Sequence, residues 1–600
     1  MNENRHSVIT VVIIIVGIVL LTKLFVIQVL DDSFMRRAER NAVQRIVDYP
    51  YRGLVYDRHG ELLVYNNPVF DLMVIPKEFS IKDTAKFCKL FQIEKDQLIE
   101  RYQKARKYSY VKPSPLIKQI SNTEFAKIQD YLIDYPGLFI MTRSVRAYPD
   151  SVGASALGYI AEIQPRQLER DSADYYNQGD YIGHSGIESY YEKILRGKKG
   201  AKYKMVNVRG VDKGSFKNGQ LDTASIPGEN LQSTIDLELQ KYGEKLMEGK
   251  KGSVVAIEPK TGEILSIISA PVYNPNLLAG AAYGKNYGKL LNDSTRPLFN
   301  RPIMAMYPPG SIFKIVQSLI GLQWGVITPN TTFACNKALV ACHNHSSPVN
   351  LFGAIRNSCN PYYYQAYRLM INQDISSNTY TDTQIGLDKW HEAVEKFGLG
   401  NRLGIDLPSE KSGDVPSSLL YDRMYGKNRW KYSTIYSLSI GQGEMLVTPI
   451  QMANLAAIFA NKGYFYTPHL IKSVDGDPKK IPEEYQIKHD VGVSAHHFDM
   501  VQDAMAEALY GTAMRAIISD ITIAGKTGTA QNPHGEDHSV FVAFAPKENP
   551  QIAIAVYVEN AGWGGRAAAS TASLMIEKYL RGHIERPTLE DYVLVGDFGD

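Results

Sequence analysis

From Val8 to Leu30 the chain reads VITVVIIIVGIVLLTKLFVIQVL, about 23 residues with one charge, Lys23. A helix of that length crosses a hydrocarbon core of about 30 Å at about 1.5 Å per residue. Its apolarity runs all round, so it has no polar face to turn to water as a surface helix would. A cleaved signal peptide would have a shorter apolar core followed by a small-x-small site, whereas here DDSFMRRAER follows. The expectation is an uncleaved single-pass anchor. Arg5 precedes it and Arg36, Arg37 and Arg40 follow it, so charge alone does not orient it. No second run of that length appears, and the remainder is expected to fold outside the bilayer.

That remainder is large enough for two to four domains. Lys+Arg 66 against Asp+Glu 63 gives a net charge of +3, too balanced for a chain built to hold phosphate backbones, so nucleic acid is not an expected partner. Residues 31–244 mix short β-rich runs with turns and charged helical stretches, an α+β texture. Beyond a boundary near 245 the pattern changes. GSVVAIEPKTGEILSIISAP reads as two strands around a Pro-Lys-Thr-Gly turn, TPIQMANLAAIFANKG as a helix, and HSVFVAFAP and IAIAVYVEN as late strands. The second domain is therefore expected to be α/β, a sheet flanked by helices.

In YPPGSIFKIVQSLIGL, Ser311 opens an apolar helical run and Lys314 follows at i+3 on the same face. A lysine whose pKa is depressed by burial can take the serine proton, and a helix N-terminus favours the negative charge that develops. S-x-x-K alone is weak, since a helix cap plus a surface lysine gives the same letters. Two further elements follow in order, Ser358-Cys359-Asn360 and Lys526-Thr527-Gly528-Thr529. Each alone suits a turn, but S-x-x-K, S-x-N and K-T-G in this sequence form the serine active-site set of penicillin-binding proteins and serine β-lactamases.

The chain resembles a class B penicillin-binding protein, specifically the elongation-specific kind, over nearly its whole length. Arg52-Gly53 with Asp57-Arg58 and Gly60 in RGLVYDRHGELL matches the first motif of the family's pedestal. SGIESYYEKILRGKKG, STIDLELQ, GEILSIISAPVYNPN and SIGQGEMLVTPIQMAN match further family segments. The resemblance implies a cytoplasmic tail (1–7), a transmembrane anchor (8–30), a non-catalytic, dimerisation-like pedestal (31–244), a penicillin-binding/serine β-lactamase-like transpeptidase domain (245–585) and a C-terminal tail (586–600), with the body in the periplasm.

The activity it implies is peptidoglycan D,D-transpeptidation. Ser311 would attack the penultimate D-Ala carbonyl of a stem peptide, Lys314 would be the general base and Ser358 a proton relay, while Asn360 and Lys526 would hold the pocket. The Ser311 and Thr529 N–H groups would form the oxyanion hole, and Thr527 and Thr529 around Gly528 would receive the substrate carboxylate beside Lys526. β-Lactams would acylate the same serine, and catalysis would need no cofactor. No segment resembles a glycosyltransferase, so a glycan polymerase of the RodA type and other elongation-complex proteins would be partners through the pedestal.

FACNKALVACHNHSSPVNLFGAIRNSCN offers Cys335, Cys342, His345 and Cys359 in C-x6-C-x2-H-x13-C spacing, with His343 able to substitute for His345. Three thiolates and an imidazole make a closed structural zinc set; a Cys335–Cys342 disulfide and buried reduced thiols are the alternatives. Some family members resembling this chain carry zinc here with other ligands. Asp537-His538 resembles a family pair but fits a polar loop tip equally, and no role is assigned to it. Asp57 and Arg58 read as a structural salt-bridged turn. Alternative functions are a division-specific class B transpeptidase, a β-lactamase, for which an anchor and pedestal have no use, and a β-lactam receptor, which usually has several spans.

Overall fold

The computed structural model describes residues 3–30, 43–81, 83–111, 113–206, 212–280, 282–532, 535–596 and 598. The basic segment with Arg36, Arg37 and Arg40 lies outside them. The chain forms two compact units.

The first comprises Met1–Arg52, Pro68–Arg143 and Arg196–Gly228. It opens with the helix Glu3–Phe25, which continues as a π-helical turn over Val26–Leu30. Ser7–Gln28 is apolar and long enough to cross a bilayer. Strand Val43–Asp48 pairs antiparallel with Gly200–Val206, which pairs with Asp212–Ser215. Elsewhere Phe70 to Val74 pair antiparallel with strand Ser114–Ile120. Leu72, Val74, Phe87, Leu98, Leu116 and Tyr135 form a buried core there with helices Thr84–Leu90 and Lys95–Tyr108.

The second unit comprises Gly53–Asn67, Ser144–Leu195 and Glu229–Asp600, so three stretches of the expected pedestal, the last of them 229–244, belong to it by packing. Its centre is a five-stranded antiparallel sheet in the order Ile264–Ala270, Gly252–Ile257, Ile552–Val558, His538–Ala545 and Ala524–Ala530. The pair around the Pro-Lys-Thr-Gly turn runs in register from Gly252↔Ala270. Apart from Ala524–Ala530, which carries Lys526, Thr527 and Thr529, the strands are mostly apolar because both faces are covered, and the two-residue period sorts their side chains into separate cores. Val255, Ile257, Ala553, Ala555, Val540 and Val542 join the core that contains helix Pro449–Ala460. Val254, Ala256, Ile554, Val556, Phe541 and Ala543 join the core of helices Leu237–Leu246 and Ala567–Arg581. Residue 245 falls inside the first of these helices, and a Cβ on its Gly243 would lie 2.3 Å from Ile268 and 2.8 Å from Met575. Within 586–600, Pro587–Val595 is a helix that buries Val593.

The pedestal-motif turn packs within this unit. Asp57 Oδ1 accepts the His59 and Glu61 amides at 2.8 Å, and Asp57 Oδ2 accepts Leu237 N at 3.3 Å. Arg58 reaches Glu258 at 3.4 Å, Glu263 at 3.3 Å and the Tyr579 hydroxyl at 3.3 Å. Both residues thus serve structure.

Candidate active site

Ser311 sits in a 3-10 turn, Gly310–Phe313, that runs directly into the α-helix Lys314–Gln323. In a 3-10 turn residues three apart eclipse, which keeps Ser311 and Lys314 aligned without an ordinary helical start. Gly310 has φ +57°, its N–H donates to Gly441 O at 2.8 Å, and a Cβ there would come 2.9 Å from Thr529 O. Glycine therefore lets the Ser311 turn and the K-T-G strand meet backbone to backbone. From Lys314 to Leu322 the helix is buried on every side, with its polar Gln317 and Ser318 bonded to Leu438 O, Trp390 and Tyr363.

Lys314 is fully buried, and its ammonium donates to Ser358 O at 2.7 Å, Ser358 Oγ at 3.0 Å and Asn360 Oδ1 at 2.6 Å. All three bonds run to the S-x-N loop, and none to Ser311. Burial pushes the lysine down to about 7, against a smaller upward pull from Cys342 and Cys359. Ser358 presents both oxygens to Lys314 from a left-handed backbone, φ +51°, an uncommon conformation for a residue with a Cβ. Helix Asn360–Ile371 begins at once beyond it.

Lys526, Thr527, Gly528 and Thr529 lie on the edge strand Ala524–Ala530, with Thr527 opposite Phe541 and Thr529 opposite Ser539. Lys526 is fully buried; burial first, and then the Lys314 charge, hold it well below the usual lysine range. Thr527 Oγ1 donates to Thr512 Oγ1 at 3.1 Å, and Thr529 Oγ1 accepts the Gly564 amide at 3.4 Å. A Cβ on Gly564 would lie 2.2 Å from Gly528 O, so this loop presses directly on the motif.

The structure brings Cys335, Cys342, His345 and Cys359 together, with one ligand atom from each within 4.8 Å of all the others. All four cysteines of the chain are free thiols. A tetrahedral ion with sulfur at about 2.3 Å sets its sulfurs roughly 3.8 Å apart, so this set fits a metal ion. His343 is exposed and outside the set. Cys359 donates to Cys342, which pulls Cys342 far down and pushes Cys359 up, while burial raises Cys335. His345 Nε2 lies 3.5 Å from Cys342 Sγ, and its Nδ1 is 2.7 Å from Ser346 O, which fixes the ring's outer edge.

Several contacts that hold the site are not announced by the three motifs. Asn360 Nδ2 donates to Ala341 O at 2.6 Å, Gln442 Nε2 to Thr529 O at 3.4 Å, and Tyr307, just before the Ser311 turn, donates its hydroxyl to Glu559 at 2.7 Å. Gly441 and Gln442 belong to the SIGQGEM stretch noted as a family segment. His538 is not on an open loop tip: it starts a strand, accepts Asn560 N at 3.0 Å, and its ring lies 6.2 Å from that of Tyr307 and 5.6 Å from that of Tyr557.

A buried S-x-x-K lysine bound to an S-x-N loop, beside a K-T-G edge strand of an antiparallel sheet, defines an acyl-transfer enzyme of the penicillin-recognising class. The chain belongs to the penicillin-binding protein family: the profile described as "Penicillin binding protein transpeptidase domain" matches residues 252–577, and "Penicillin-binding Protein dimerisation domain" matches 47–233. Within the family it groups with penicillin-binding protein 2. The Peptidoglycan D,D-transpeptidase MrdA of Acinetobacter baumannii is 30% identical over 570 residues, 90% of this chain and 81% of the relative. A penicillin-binding protein 2 from Helicobacter pylori, solved in complex with MreC, superposes with a TM-score of 0.75 at 26% identity, covering 90% of this chain and all of that one. A structure titled for the coordination of polymerization and crosslinking by a peptidoglycan synthase complex superposes with a TM-score of 0.68 at 25% identity, covering 97% of this chain and 99% of that one.

Proposed function

We propose that this chain is the serine D,D-transpeptidase that cross-links peptidoglycan stem peptides during cell-wall elongation, and that β-lactams acylate it. The observation that carries the residue roles is Lys314, buried, held near neutrality and donating to Ser358 and Asn360.

Ser311 Oγ attacks the penultimate D-Ala carbonyl while neutral Lys314 takes its proton. Charge on the carbonyl oxygen falls between the Ser311 and Thr529 N–H groups, where one donor is typically worth about 3 kcal/mol. That reading is supported by the close approach of Gly310 to Thr529 O. The C–N bond then breaks, and the proton passes through Ser358 Oγ to the departing D-Ala nitrogen. Buried Lys526, with Thr527, Gly528 and Thr529, receives the terminal carboxylate. A stem-peptide amine next attacks the Ser311 ester, loses a proton along the same path, and leaves the cross-link and free serine.

The reading extends to architecture. Residues 8–30 anchor the chain, 31–244 form the pedestal, 245–585 the transpeptidase domain and 586–600 the tail, with the body in the periplasm. An MreC-type scaffold and a RodA-type polymerase are the partners proposed for the pedestal. Cys335, Cys342, His345 and Cys359 hold a structural zinc, which when bound replaces the thiol-to-thiol hydrogen bonds of the cluster and fixes the segment before Ser358.

Labelling the purified protein with a fluorescent penicillin tests the chemistry. A stable adduct that is absent from Ser311→Ala is expected; rapid loss of label with hydrolysed drug would make the enzyme a lactamase. Depletion in cells tests the elongation role, since rounding is expected and filaments would overturn it.

A further inference from the structure

We propose that the sulfur cluster is a site of reversible oxidation that switches the transpeptidase off: Cys335 and Cys342 join in a disulfide under peroxide-class oxidants, and Asn360 loses its support.

The geometry singles out this pair. Cys335 and Cys342 are partly exposed, whereas Cys359 is fully buried, and the cluster's donor atoms all lie within 4.8 Å of one another. Disulfide formation needs the sulfurs to close from within 4.8 Å to about 2 Å, and in the proposed switch the seven-residue step between the two cysteines takes up that closure in its own backbone. That backbone is not idle. Ala341, one residue before Cys342, offers the carbonyl that accepts Asn360 Nδ2 at 2.6 Å. The other end of the same amide, Oδ1, accepts from Lys314 at 2.6 Å. An amide with both ends engaged cannot flip or drift; released from Ala341, it is free to rotate and withdraw the acceptor that orients Lys314. Cys359 lies between Ser358 and Asn360, so a change in its sulfur partners acts on the same loop.

The chemistry balances with one oxidant. Hydrogen peroxide converts the Cys342 thiol to a sulfenic acid with release of one water. The Cys335 thiol attacks that sulfur, the S–S bond forms, and a second water leaves. Two thiols lose two electrons and two protons, and peroxide is reduced to water. A dithiol reductant reverses the step. Two of the four donors are consumed, so a bound ion is released; this readout alone rests on the zinc reading above.

The test uses the full chain in detergent. Its zinc content is measured, hydrogen peroxide is added, disulfides are mapped by peptide mass spectrometry, released metal is titrated with a chromogenic chelator, and the fluorescent-penicillin acylation rate is followed. A Cys335–Cys342 link, zinc release and an acylation rate at least tenfold lower, all restored by dithiothreitol and added zinc, are expected. Cys88→Ser, which lies outside the cluster, should behave identically, and Cys335→Ala should lose the peroxide response. If Cys335→Ala does not fold, the disulfide map of the unaltered chain decides. A link with slowed acylation in a protein that never held zinc removes the metal reading and leaves the switch standing. A link without loss of acylation, or loss of acylation with both thiols still reduced, overturns the proposal, as does the absence of any reaction.

Discussion

Lys314 Nζ and Asn360 Oδ1 stand 2.6 Å apart in the buried floor of the site, with the opposite end of the Asn360 amide donating to Ala341. Lys314 is thus held by a side chain whose own orientation is set from outside the three motifs.

Asn360→Asp is expected to cost more than Asn360→Ala in base function. A carboxylate beside the ammonium stabilises its protonated form and raises Lys314 out of the useful range. Both variants should slow acylation, on the order of a hundredfold for a misoriented general base. The pH midpoint of the acylation rate separates them, moving upward only in Asn360→Asp.

Burial pushes Lys314 down to about 7, so the neutral, proton-accepting form grows as pH rises through that value. The acylation rate constant should climb nearly tenfold per unit well below the midpoint and level off above it. Lys314→Arg, whose guanidinium does not deprotonate, should abolish acylation at every pH tested.

Gly564→Ala forces a Cβ to within 2.2 Å of Gly528 O. The loop or the K-T-G strand must move, at a cost of about 1–3 kcal/mol for overpacking. Because the Gly564 amide also donates to Thr529 Oγ1, acylation should fall more steeply than the melting temperature suggests. Stopped-flow acylation beside calorimetry checks both numbers.

Arg58→Ala removes the guanidinium between Glu258 and Glu263, all three largely shielded from water. Two carboxylates then face each other without the cation between them, and a loss of about 1–3 kcal/mol is expected, reduced by what solvent still reaches the site. Penicillin acylation by the folded fraction should be unchanged, which distinguishes a structural turn from a second site.

Stripping the metal with a chelator should remove near one zinc per chain, lower the melting temperature and slow acylation, with recovery on adding zinc back. A metal-free protein that acylates at the full rate would leave the cluster as reduced thiols only.

The sequence makes plain what is local. The apolar helix, the strand pair around Pro-Lys-Thr-Gly and the Ser311 to Lys314 step each declare themselves within one or two turns of chain. The cysteine spacing likewise brings four donors to one place because a short loop encloses them. What it hides is made of backbone, as in Ala341 O on Asn360 and Gly564 N on Thr529, or spans the chain, as in the side-chain bond from Tyr307 to Glu559, 252 residues apart. Carbonyls and glycine contacts have no letter of their own. The same limit hides the way Gly53–Asn67 and Ser144–Leu195 pack with the catalytic sheet, since a chain that leaves a unit and returns keeps the composition of its neighbours.

The K-T-G segment is an edge strand, hydrogen-bonded within the sheet only to His538–Ala545. Within the sheet it takes its register from that one neighbour, whose Val540 and Val542 are seated in one core while Phe541 and Ala543 are seated in the other. A methylene added or lost in either core tilts His538–Ala545 and carries Lys526 with it, because close-packed interiors transmit strain. Drug resistance in such an enzyme therefore need not arise where the drug touches it: substitutions that contact neither substrate nor inhibitor can retune the balance between a flexible stem peptide and a rigid lactam.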